Sequence, residues 1–569
     1  MDSPPHLSLL WPSGSSPQGV AGARLDAQAL ADLDLSETIH ALGGQDSRQE
    51  RFVRDVLSAP YAGPAVISYR ADALDDLLAD ATLRAALRDL LPRLESLTET
   101  YRPRSGGSPL THLARRLSAL EMFVEVALEL QDVLARATRR ADALESIHAS
   151  LRDLTARPEF AALRAELPGL RQQLAGVRSV TVGVNLSPDL EPETAALLAL
   201  HPEPIAGHAT LLARLLGQRG GGGGLTPLRG SDLSPDNRLL RDLRGLLDRV
   251  VAPVERALER FATISPALLA GLAPELALLL GAADLTLRLR QASLPVCRSS
   301  PAPGEERACA VEEGYHLSLA LRLLDRRGAS PDDAPPVVPN DMVFDDRQGR
   351  VWLLTGPNRG GKTTYTRAVG QIHVLAQAGL PVPARSARLS PVDGVYTHFP
   401  SRESATPGRG RLDDEAAGLA AIFARATPRS LILLNEVLAG TSTVEALGLA
   451  IDVVRGLRLL GARAIYVTHL HELAQQVDDL NARTEGSALV GSLVAEAASD
   501  GTDAAPDPDA TSDGTDRSAH RRTFRVHPGP PRGSSYASDI AAQHGISYPQ
   551  LARLLRDRGI LPPGMSGDG

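Results

Sequence analysis

The sequence predicts an α-helical domain followed by an α/β P-loop NTPase domain, on three observations. The region from about residue 72 to residue 175 is rich in Leu, Ala, Arg and Glu with a helical period. From about residue 311 the pattern alternates between strands and helices, which is typical of a parallel sheet with crossover helices. Within that second part, a G-x-x-x-x-G-K-T motif at residues 356–363 lies between a predicted strand and a predicted helix.

The composition is that of a globular protein with no overall attraction to polyanions. A chain of 569 residues is long enough for about three or four domains. Hydrophobic residues make up 43% and the formal net charge is −8, so a nucleic-acid partner would need a local basic patch. Aromatic residues are only 3%, which disfavours stacking platforms for single-stranded nucleic acid.

Three features bear on the compartment. Cys297 and Cys309 are the only cysteines and no Cys/His cluster has zinc spacing, so we expect a reducing cytoplasm. No Lys or Arg precedes Arg24 and no long apolar core follows the first residue, so no signal peptide is predicted. The most apolar stretch, residues 266–287, is interrupted by a proline and two acidic residues, which predicts buried helices instead of a membrane span.

The helical part carries a clear apolar stripe. Within residues 112–134 the stripe has spacings of three, four or seven, and it comprises Leu113, Leu117, Leu120, Val124, Ala127 and Leu134. This pattern predicts long antiparallel helices whose stripe is core. A short strand is predicted at residues 180–184, where valines alternate with smaller residues, and a second helical stretch at residues 239–258.

Two stretches lack the side chains that a core needs. Residues 220–224 are all glycine and predict a flexible linker or loop tip. Residues 495–520 are acidic, rich in Pro and Gly and free of large apolar side chains, which predicts disorder. A strand at residues 523–531 and a helix at residues 534–545 are predicted after it, so this acidic stretch is an insertion within the second domain.

The glycine-rich motif has the context that phosphate binding needs. A buried strand is predicted at residues 351–354 and a helix from Lys362, whose N-terminus favours an anion. Lys362 is expected to reach the β- and γ-phosphates of ATP, and Thr363 to bind Mg²⁺. The predicted nucleotide-binding residues are Gly356, Pro357, Asn358, Arg359, Gly360, Gly361, Lys362, Thr363 and Thr364.

Two later strands end in polar residues. Residues 431–434 run into Asn435 and Glu436 and then into a small polar loop at residues 440–443, and the next buried strand ends just before His469. Ligands bind at the carboxyl edge of parallel sheets, where such residues lie. Asn435, Glu436 and His469 are therefore predicted beside the phosphate loop, with His469 as a candidate γ-phosphate sensor.

These pieces resemble the MutS family of mismatch-repair ATPases, relatives of the ABC class. The matching motifs are VPND, TGPNRGGKTTYTR, NEVLAGTST, VTHLHEL and SSYASDIAAQHGI, in the family's order. Upstream, the resemblance is weaker and rests on helical composition and on GVRSVTVGVNLSPDL. It implies a core/lever helical domain at residues 71–290 and a MutS-like, ABC-type ATPase domain at residues 291–569. Residues 1–70 receive no interpretation.

The resemblance also implies an activity. It implies a cytoplasmic homodimer that hydrolyses ATP at composite sites and acts on DNA in mismatch repair or a related pathway. Glu436 stands where the family's general base polarises water, and Asn435 where an Asp helps bind Mg²⁺. An amide keeps an acceptor oxygen but loses the negative charge. Because Mg²⁺ is held mainly by nucleotide phosphates and water, slow hydrolysis is expected, not inactivity.

Three departures from the family are expected. The mismatch-reading and connector domains are not recognisable near the start. The clamp that grips DNA is predicted to be reduced or absent at residues 187–235, where Arg214, Arg219 and Arg229 fit a solvated surface as well as phosphate contact. The signature segment that a partner subunit offers to the γ-phosphate has Gly410 and Arg411 in place of Ser-Thr. Arg411 is either a charged donor in trans or an exposed surface arginine.

Two other functions are alternatives to a DNA-acting ATPase. A nucleotide-gated dimeric scaffold could bind a protein partner through its helical arms without direct mismatch recognition, and the reduced clamp and acidic charge favour it. A salt-dependent DNA-binding assay separates the two, because phosphate contacts weaken steeply with salt. A small-molecule kinase is poorly supported, since the GTST loop and the Thr-His pair suit a dimeric switch ATPase better.

Overall fold

The structure is a computed structural model of the chain. It describes residues 7–15, 22–59, 63–101, 109–137, 141–175, 179–189, 192–201, 203, 254–261, 264–327, 337–358, 360–399, 410–438, 442–496, 523–530 and 548–558. The chain divides into a helical unit, Met1–Leu9 with Ala79–Leu276, and an α/β unit, Leu10–Leu78 with Ala277–Gly569.

The regular elements follow in chain order. The helices are α1 (Ala27–Asp32), α2 (Ser36–Gly43), α3 (Ser47–Ser58), α4 (Pro64–Ala79), α5 (Ala81–Tyr101), α6 (Pro109–Arg136), α7 (Asp142–Thr155), α8 (Pro158–Ala175), α9 (Ala267–Ala270), α10 (Leu272–Gln291), α11 (Leu317–Arg327), α12 (Lys362–Gln377), α13 (Arg411–Phe423), α14 (Thr443–Leu460), α15 (His471–Gln475), α16 (Val477–Arg483) and α17 (Tyr548–Asp557). The strands are β1 (Ser179–Leu186), β2 (Pro192–His201), β3 (Ser300–Pro301), β4 (Cys309–Gly314), β5 (Asn340–Phe344), β6 (Val351–Thr355), β7 (Ser386–Leu389), β8 (Val395–His398), β9 (Leu431–Asn435), β10 (Arg463–Val467), β11 (Val490–Ala495) and β12 (Val526–Pro528).

The helical unit contains the stripe that the sequence predicts. Six buried residues of α6 form it: Leu113, Leu117, Leu120, Val124, Ala127 and Leu134. The Phe123 ring meets Phe160 of α8 edge-on, with ring centroids 6.4 Å apart. On the solvent side, Arg93 of α5 pairs with Glu125 of α6 at 2.9 Å. The predicted helices and core stripe are confirmed, as is a strand at residues 180–184, since β1 pairs antiparallel with β2.

One helical stretch of the described chain, Ala267–Gln291, is apolar and long enough to cross a membrane by length and composition. Its most apolar window is 61% buried inside the protein. Within it, the buried Glu275 carboxylate accepts hydrogen bonds from Ser8 Oγ at 2.8 Å and from the Leu9 backbone N–H at 2.6 Å. Burial with satisfied polar partners is typical of a core helix, which agrees with the sequence prediction.

The α/β unit contains a six-stranded sheet in the order β12-β11-β6-β10-β9-β8. The five strands from β11 to β8 are parallel neighbours, and β12 joins the edge antiparallel. β6, β9 and β10 are buried along their whole lengths, which is typical of parallel strands covered on both faces. The predicted parallel sheet is confirmed, and so is a strand within residues 523–531.

A second, four-stranded sheet has the order β3-β7-β4-β5 and was not predicted. β4 lies antiparallel between β5 and β7. In the chain, α11 separates β4 from β5, and β5, β6 and α12 separate β4 from β7, so no local hairpin pattern marks this sheet. Strand–helix alternation alone therefore predicts one of the two sheets.

The N-terminal residues described in the α/β unit lie against α12, the helix that follows the phosphate loop. A Cβ added at Gly370 of α12 would lie 2.3 Å from Leu33 Cδ2, so this helix position accommodates Leu33 only because it is glycine. Arg367 Nε donates to the Asp32 carbonyl at 2.7 Å, and Gln371 Nε2 to the Leu33 carbonyl at 2.9 Å. Part of the region that the sequence left uninterpreted thus packs on the helix that carries Lys362.

Several predictions fall wholly or mostly outside the described residues. They are the glycine run at 220–224, most of the reduced clamp at 187–235 with its three arginines, the insertion from residue 497 onward and the helix at 534–545. Of the second helical stretch, only its end is described, where Val254 and Leu258 are buried. The core/lever arrangement stays a prediction.

Candidate functional site

The candidate site lies at the carboxyl edge of the six-stranded sheet. β10 lies between β6 and β9 and is parallel to both, so the chain leaves all three strands at the same edge. β6 leads into the phosphate loop, β9 ends at Asn435, and β10 ends two residues before His469. The structure therefore brings together the three features that the sequence predicts there.

Glycines give the phosphate loop its path. Gly356 has φ +136° and Gly361 has φ +93°, which are conformations that other residues rarely adopt. A Cβ on Gly356 would lie 2.8 Å from the carbonyl oxygen of Ala495, so the loop packs directly on the backbone at the end of β11. Gly361 occupies the N-cap of α12, leaving the first N–H groups of that helix available to an anion. Arg359 lies outside the described residues.

Lys362 is the only lysine in the sequence, which otherwise uses arginine for its permanent positive charges. It is buried, with 4% of its surface exposed, and its Nζ donates to the carbonyls of Gly356 at 2.8 Å and Pro357 at 3.0 Å. Burial lowers the pKa of this ammonium to about 8, and the Glu436 carboxylate opposes the shift. A compact ammonium fits under the loop, whereas a planar guanidinium has a different shape and donor geometry.

Two of the predicted metal-binding residues touch each other. Thr363 Oγ1 donates a hydrogen bond to Asn435 Oδ1 at 3.2 Å. The hydroxyl oxygen of Thr363 and the amide oxygen of Asn435 are both neutral oxygen ligands, which Mg²⁺ can bind when phosphates supply most of the negative charge. Within the described part of the chain, no group of three or more His, Cys, Asp or Glu residues could hold a metal alone. This donor set fits a Mg²⁺ ion that enters with a nucleotide, held on the protein side by Thr363 and Asn435.

Glu436 and His469 form a hydrogen-bonded pair. Glu436 Oε1 lies 2.8 Å from His469 Nε2. This hydrogen bond lowers the pKa of Glu436, although burial alone would raise it. The two side chains are 35% and 43% exposed, so water can reach the carboxylate. Glu436 is therefore an ionised carboxylate next to solvent, as a base that accepts a proton from water must be.

Two family models match the chain. MutS domain V matches residues 352–492, which include the phosphate loop, Asn435, Glu436 and His469. The MutS2 N-terminal domain matches residues 62–292, which include most of the helical unit. Both of these parts of the chain are therefore similar to MutS-type proteins.

Three MutS-family relatives match part of the chain, and each is called DNA mismatch repair protein MutS. The relative from Granulibacter bethesdensis is 38% identical over 186 residues, that from Chlorobium limicola 39% over 178, and that from Solibacter usitatus 35% over 177. These matches cover 32%, 29% and 31% of this chain, but only 19%, 20% and 20% of the relatives. The chain thus spans about a fifth of the length of the relatives it matches.

The small loop after Glu436, part of the MutS-like NEVLAGTST motif, is only partly described. Residues 439–441 lie outside the described residues. Ser442 is the N-cap of α14, and its Oγ accepts a hydrogen bond from the Glu445 backbone N–H at 3.4 Å. The end of the loop is therefore a helix cap, which explains a small hydroxyl residue there.

The segment expected to face a partner nucleotide in the MutS family begins α13. Gly410 is its N-cap and Arg411 its first residue. Arg411 is 57% exposed, and its Nε donates to Glu415 Oε1 of the same chain at 2.8 Å. The structure thus gives Arg411 an internal partner while leaving it accessible. Its role toward a partner subunit stays a prediction.

A cavity of about 440 Å³ opens beside the phosphate loop. Its lining from the loop and the start of α12 is Gly360, Gly361, Lys362, Thr363 and Thr364. Its apolar lining is Leu319, Leu323, Val337, Val338 and Met342. A cavity lined on one side by the phosphate loop and on the other by apolar side chains suits a nucleotide, since the base needs apolar surface and the phosphates need N–H groups and a cation.

Sequence reasoning missed two residues of this region. Phe524 is 44% exposed, has φ +55° and lines the cavity, and Asn340 Nδ2 donates to its carbonyl at 3.2 Å. The other missed residue is Glu415, which is buried and bonds both Arg411 and the Leu438 backbone N–H. Its spacing of four from Arg411 on a helix could have indicated the ion pair. No local pattern indicates the bond to Leu438.

Proposed function

We propose that this chain is an ATP hydrolase that requires Mg²⁺ and switches conformation as a homodimer when it binds and hydrolyses ATP. The observation that carries the proposal is the Glu436–His469 pair, with Glu436 Oε1 2.8 Å from His469 Nε2, at the same sheet edge as Lys362. The match of residues 352–492 to MutS domain V supports the same activity.

Each residue of the site has a proposed task. The phosphate loop and the N-terminus of α12 bind the phosphates, and Lys362 leaves its two carbonyl partners to bond the β- and γ-phosphates. Thr363 and Asn435 would hold Mg²⁺, which neutralises charge on the phosphates. Glu436 takes a proton from the attacking water, and His469 keeps it ionised and oriented. His469 can also contact the γ-phosphate, as its position at the strand end allows.

Asn435 makes slow hydrolysis the expected behaviour. Its Oδ1 accepts from Thr363 Oγ1, so the amide oxygen faces the predicted metal position. It brings no negative charge, so it attracts a divalent cation less than an Asp at this position would. The general base Glu436 is present, however, so the chemical step keeps its proton acceptor.

DNA is the proposed partner, in mismatch repair or a related DNA-processing pathway. The relatives are named for DNA mismatch repair, and the chain covers only about a fifth of their length. A second candidate is a nucleotide-gated scaffold that binds another protein. The net charge of −8 favours this candidate, because it provides no general attraction to phosphate backbones.

Steady-state ATP hydrolysis with Mg²⁺ tests the proposal. The unaltered chain should turn over, whereas Glu436→Gln should lower kcat by about 100-fold or more, since a positioned general base contributes about 10²–10⁴-fold. Glu436→Gln should still bind ADP, whereas Lys362→Ala should lose both binding and turnover. Glu472→Gln, at an exposed position of α15, is the matched control and should leave kcat unchanged.

The same assay with duplex or branched DNA separates the two candidates. A change in kcat that disappears as salt rises indicates phosphate contact and a DNA partner. Turnover that DNA does not change at any salt concentration favours the scaffold. No turnover above that of Glu436→Gln would refute the proposed hydrolysis and leave a nucleotide-binding switch.

A further inference from the structure

The turn that follows β9 holds two residues in an unusual backbone conformation. Glu436 has φ +52° and Leu438 has φ +65°, and neither is glycine. A side chain in this region crowds its own backbone, so such residues persist only where their surroundings hold them. Because Glu436 is the proposed general base, whatever holds this turn also positions the base.

Among the residues that the structure describes, three hydrogen bonds hold the backbone of this turn, and their partners lie in β10 and α13. From the β10 region, the Val467 carbonyl accepts from the Glu436 N–H at 2.9 Å, and Tyr466 OH donates to the Val437 carbonyl at 3.5 Å. From α13, Glu415 Oε2 accepts from the Leu438 N–H at 2.6 Å. The last bond is the shortest and its acceptor is a buried carboxylate, so it is the strongest of the three.

The second oxygen of Glu415 is also engaged. Glu415 Oε1 accepts from Arg411 Nε at 2.8 Å, one turn earlier on α13. Glu415 is 6% exposed, whereas the Arg411 side chain is 57% exposed. A guanidinium that bonds through Nε keeps its terminal amino groups for another anion. One buried carboxylate therefore links a solvent-facing arginine to the turn that carries Glu436.

We propose that Glu415 is a positioning residue that ties Arg411 at the start of α13 to the turn behind Glu436. The inference rests on the proposed ATP hydrolysis. A terminal phosphate, such as that of a nucleotide bound by a second copy of this chain, would bind Arg411 and weaken the Arg411–Glu415 bond. The weakened bond changes the position of the Glu415 carboxylate, and with it the Leu438 N–H and the turn that carries Glu436. Glu415 itself is buried and would act through its bonds to Arg411 and Leu438.

This role differs from simple packing in what it affects. A packing residue would lower stability and nucleotide binding together. A positioning residue for Glu436 lowers kcat and leaves ADP affinity intact, because in the described part of the chain the hydrogen bonds of Glu415 go to Arg411 and Leu438 and not to the phosphate loop. Arg411, in turn, should lose its effect on the turn when Glu415 is changed, because it acts through Glu415.

The test compares Glu415→Gln and Glu415→Leu with Asp413→Asn. In Glu415→Gln the side chain retains one acceptor oxygen but no charge, and in Glu415→Leu it retains neither. Asp413→Asn is the control, because Asp413 is an exposed carboxylate on the same turn of α13. We expect kcat to fall by about tenfold for Gln and about 100-fold for Leu, since a 1 Å misplacement of a reacting group costs about 10²-fold. The ADP dissociation constant should stay within about twofold, since no phosphate-binding contact changes.

Two further readouts decide the matter whether or not the chain hydrolyses ATP. Amide hydrogen exchange at Leu438 should accelerate in Glu415→Leu and remain unchanged in Asp413→Asn. In a double-mutant cycle on the same exchange rate, adding Arg411→Leu should have a smaller effect in the Glu415→Gln chain than in the unaltered chain.

The inference is overturned if Leu438 exchange is the same in all three Glu415 forms, or if the Arg411 and Glu415 effects simply add. Equal losses of kcat and ADP affinity would also overturn it, in favour of packing. If the unaltered chain has no turnover at all, the proposed hydrolysis fails. The Leu438 exchange then still decides whether Glu415 holds the turn.

Discussion

Two turns at the same edge of one sheet are built in opposite ways. The phosphate loop after β6 reaches positive φ at Gly356 and Gly361, where the absence of a Cβ makes that conformation accessible. The turn after β9 reaches it at Glu436 and Leu438, where each residue costs about 1–2 kcal/mol. The first turn is specified by its own residues, and the second must be held by residues elsewhere in the chain.

The contacts of the two turns follow from that difference. In the phosphate loop, the bonds are internal: Lys362 donates to carbonyls five and six residues earlier, and the Gly360 N–H donates to the Pro357 carbonyl at 3.1 Å. In the Glu436 turn, the bonds come from β10 and from α13. A turn of the first kind owes its conformation mainly to its own residues. A turn of the second kind can respond when those distant elements move.

The largest effect is expected where the self-contained loop is broken. In Gly356→Ala, the new Cβ would lie 2.8 Å from the Ala495 carbonyl oxygen, in a conformation that alanine rarely adopts. The displaced loop should lose two or more N–H bonds to phosphate. At about 1.5–3 kcal/mol for each bond to a charged group, ADP affinity should fall by about 100-fold or more. Calorimetric titration with ADP measures this loss.

Gly448→Ala is the matched control for that experiment. Gly448 lies on an exposed face of α14, and no atom lies within 4 Å of a Cβ placed there. Replacing a mid-helix glycine should stabilise the fold by about 0.5–1 kcal/mol and leave ADP binding unchanged. Unaltered ADP affinity in Gly356→Ala would mean that the loop tolerates a side chain, and the comparison between the two turns would lose its basis.

The same difference explains how much of the site the sequence could predict. The phosphate loop is encoded in adjacent residues, so its motif and flanking elements predict its place and its helix. The end of β9 was predicted because a run of buried residues ends there in Asn435 and Glu436. Glu415 escaped prediction, because its bond to Leu438 joins residues 23 apart in the chain with no spacing rule.

The fold, like the site, is predicted from the sequence only where the pattern is local. The helical stripe of α6 and the parallel sheet follow periodicities that a single sequence displays. The packing of Leu33 on Gly370 does not, since it joins an N-terminal segment to a helix far along the chain. That contact depends on shape, which sequence periodicity does not record. The core strands and the motifs were therefore predicted, and the N-terminal segment was not.

An intermediate effect is expected from the charge of Lys362. Its pKa of about 8 lies below the ordinary lysine value, so the side chain is charged below pH 8 and neutral above it. Phosphate binding favours the charged form, so ADP binding should take up a proton above pH 8. ADP affinity should then fall by up to about tenfold for each pH unit above 8. Calorimetry in two buffers of different ionisation enthalpy measures the proton uptake.

The single lysine makes this prediction direct to check. Amine-labelling rates against pH, measured on the peptide that contains Lys362, report the ionisation of this side chain alone. Lys362→Ala is the control, because it removes the only lysine side chain and should abolish amine labelling of this peptide. An ADP affinity that is constant from pH 7 to 9.5 in the unaltered chain, within about twofold, would contradict a lowered pKa.

The smallest effect is expected from His469, which bonds Glu436 in the turn that is held from outside, and it should be larger in acid than near pH 8. The hydrogen bond from His469 lowers the pKa of Glu436, so the carboxylate stays ionised, and able to accept a proton, further into the acid range than an ordinary glutamate. His469→Gln removes the imidazole whose hydrogen bond lowers the pKa of Glu436, so the pKa of Glu436 should rise. The acid limb of the kcat–pH profile should therefore move to higher pH, while kcat near pH 8 falls by less than about tenfold. An equal loss at every pH would instead assign His469 to the γ-phosphate, where it would act as a donor independently of the state of Glu436.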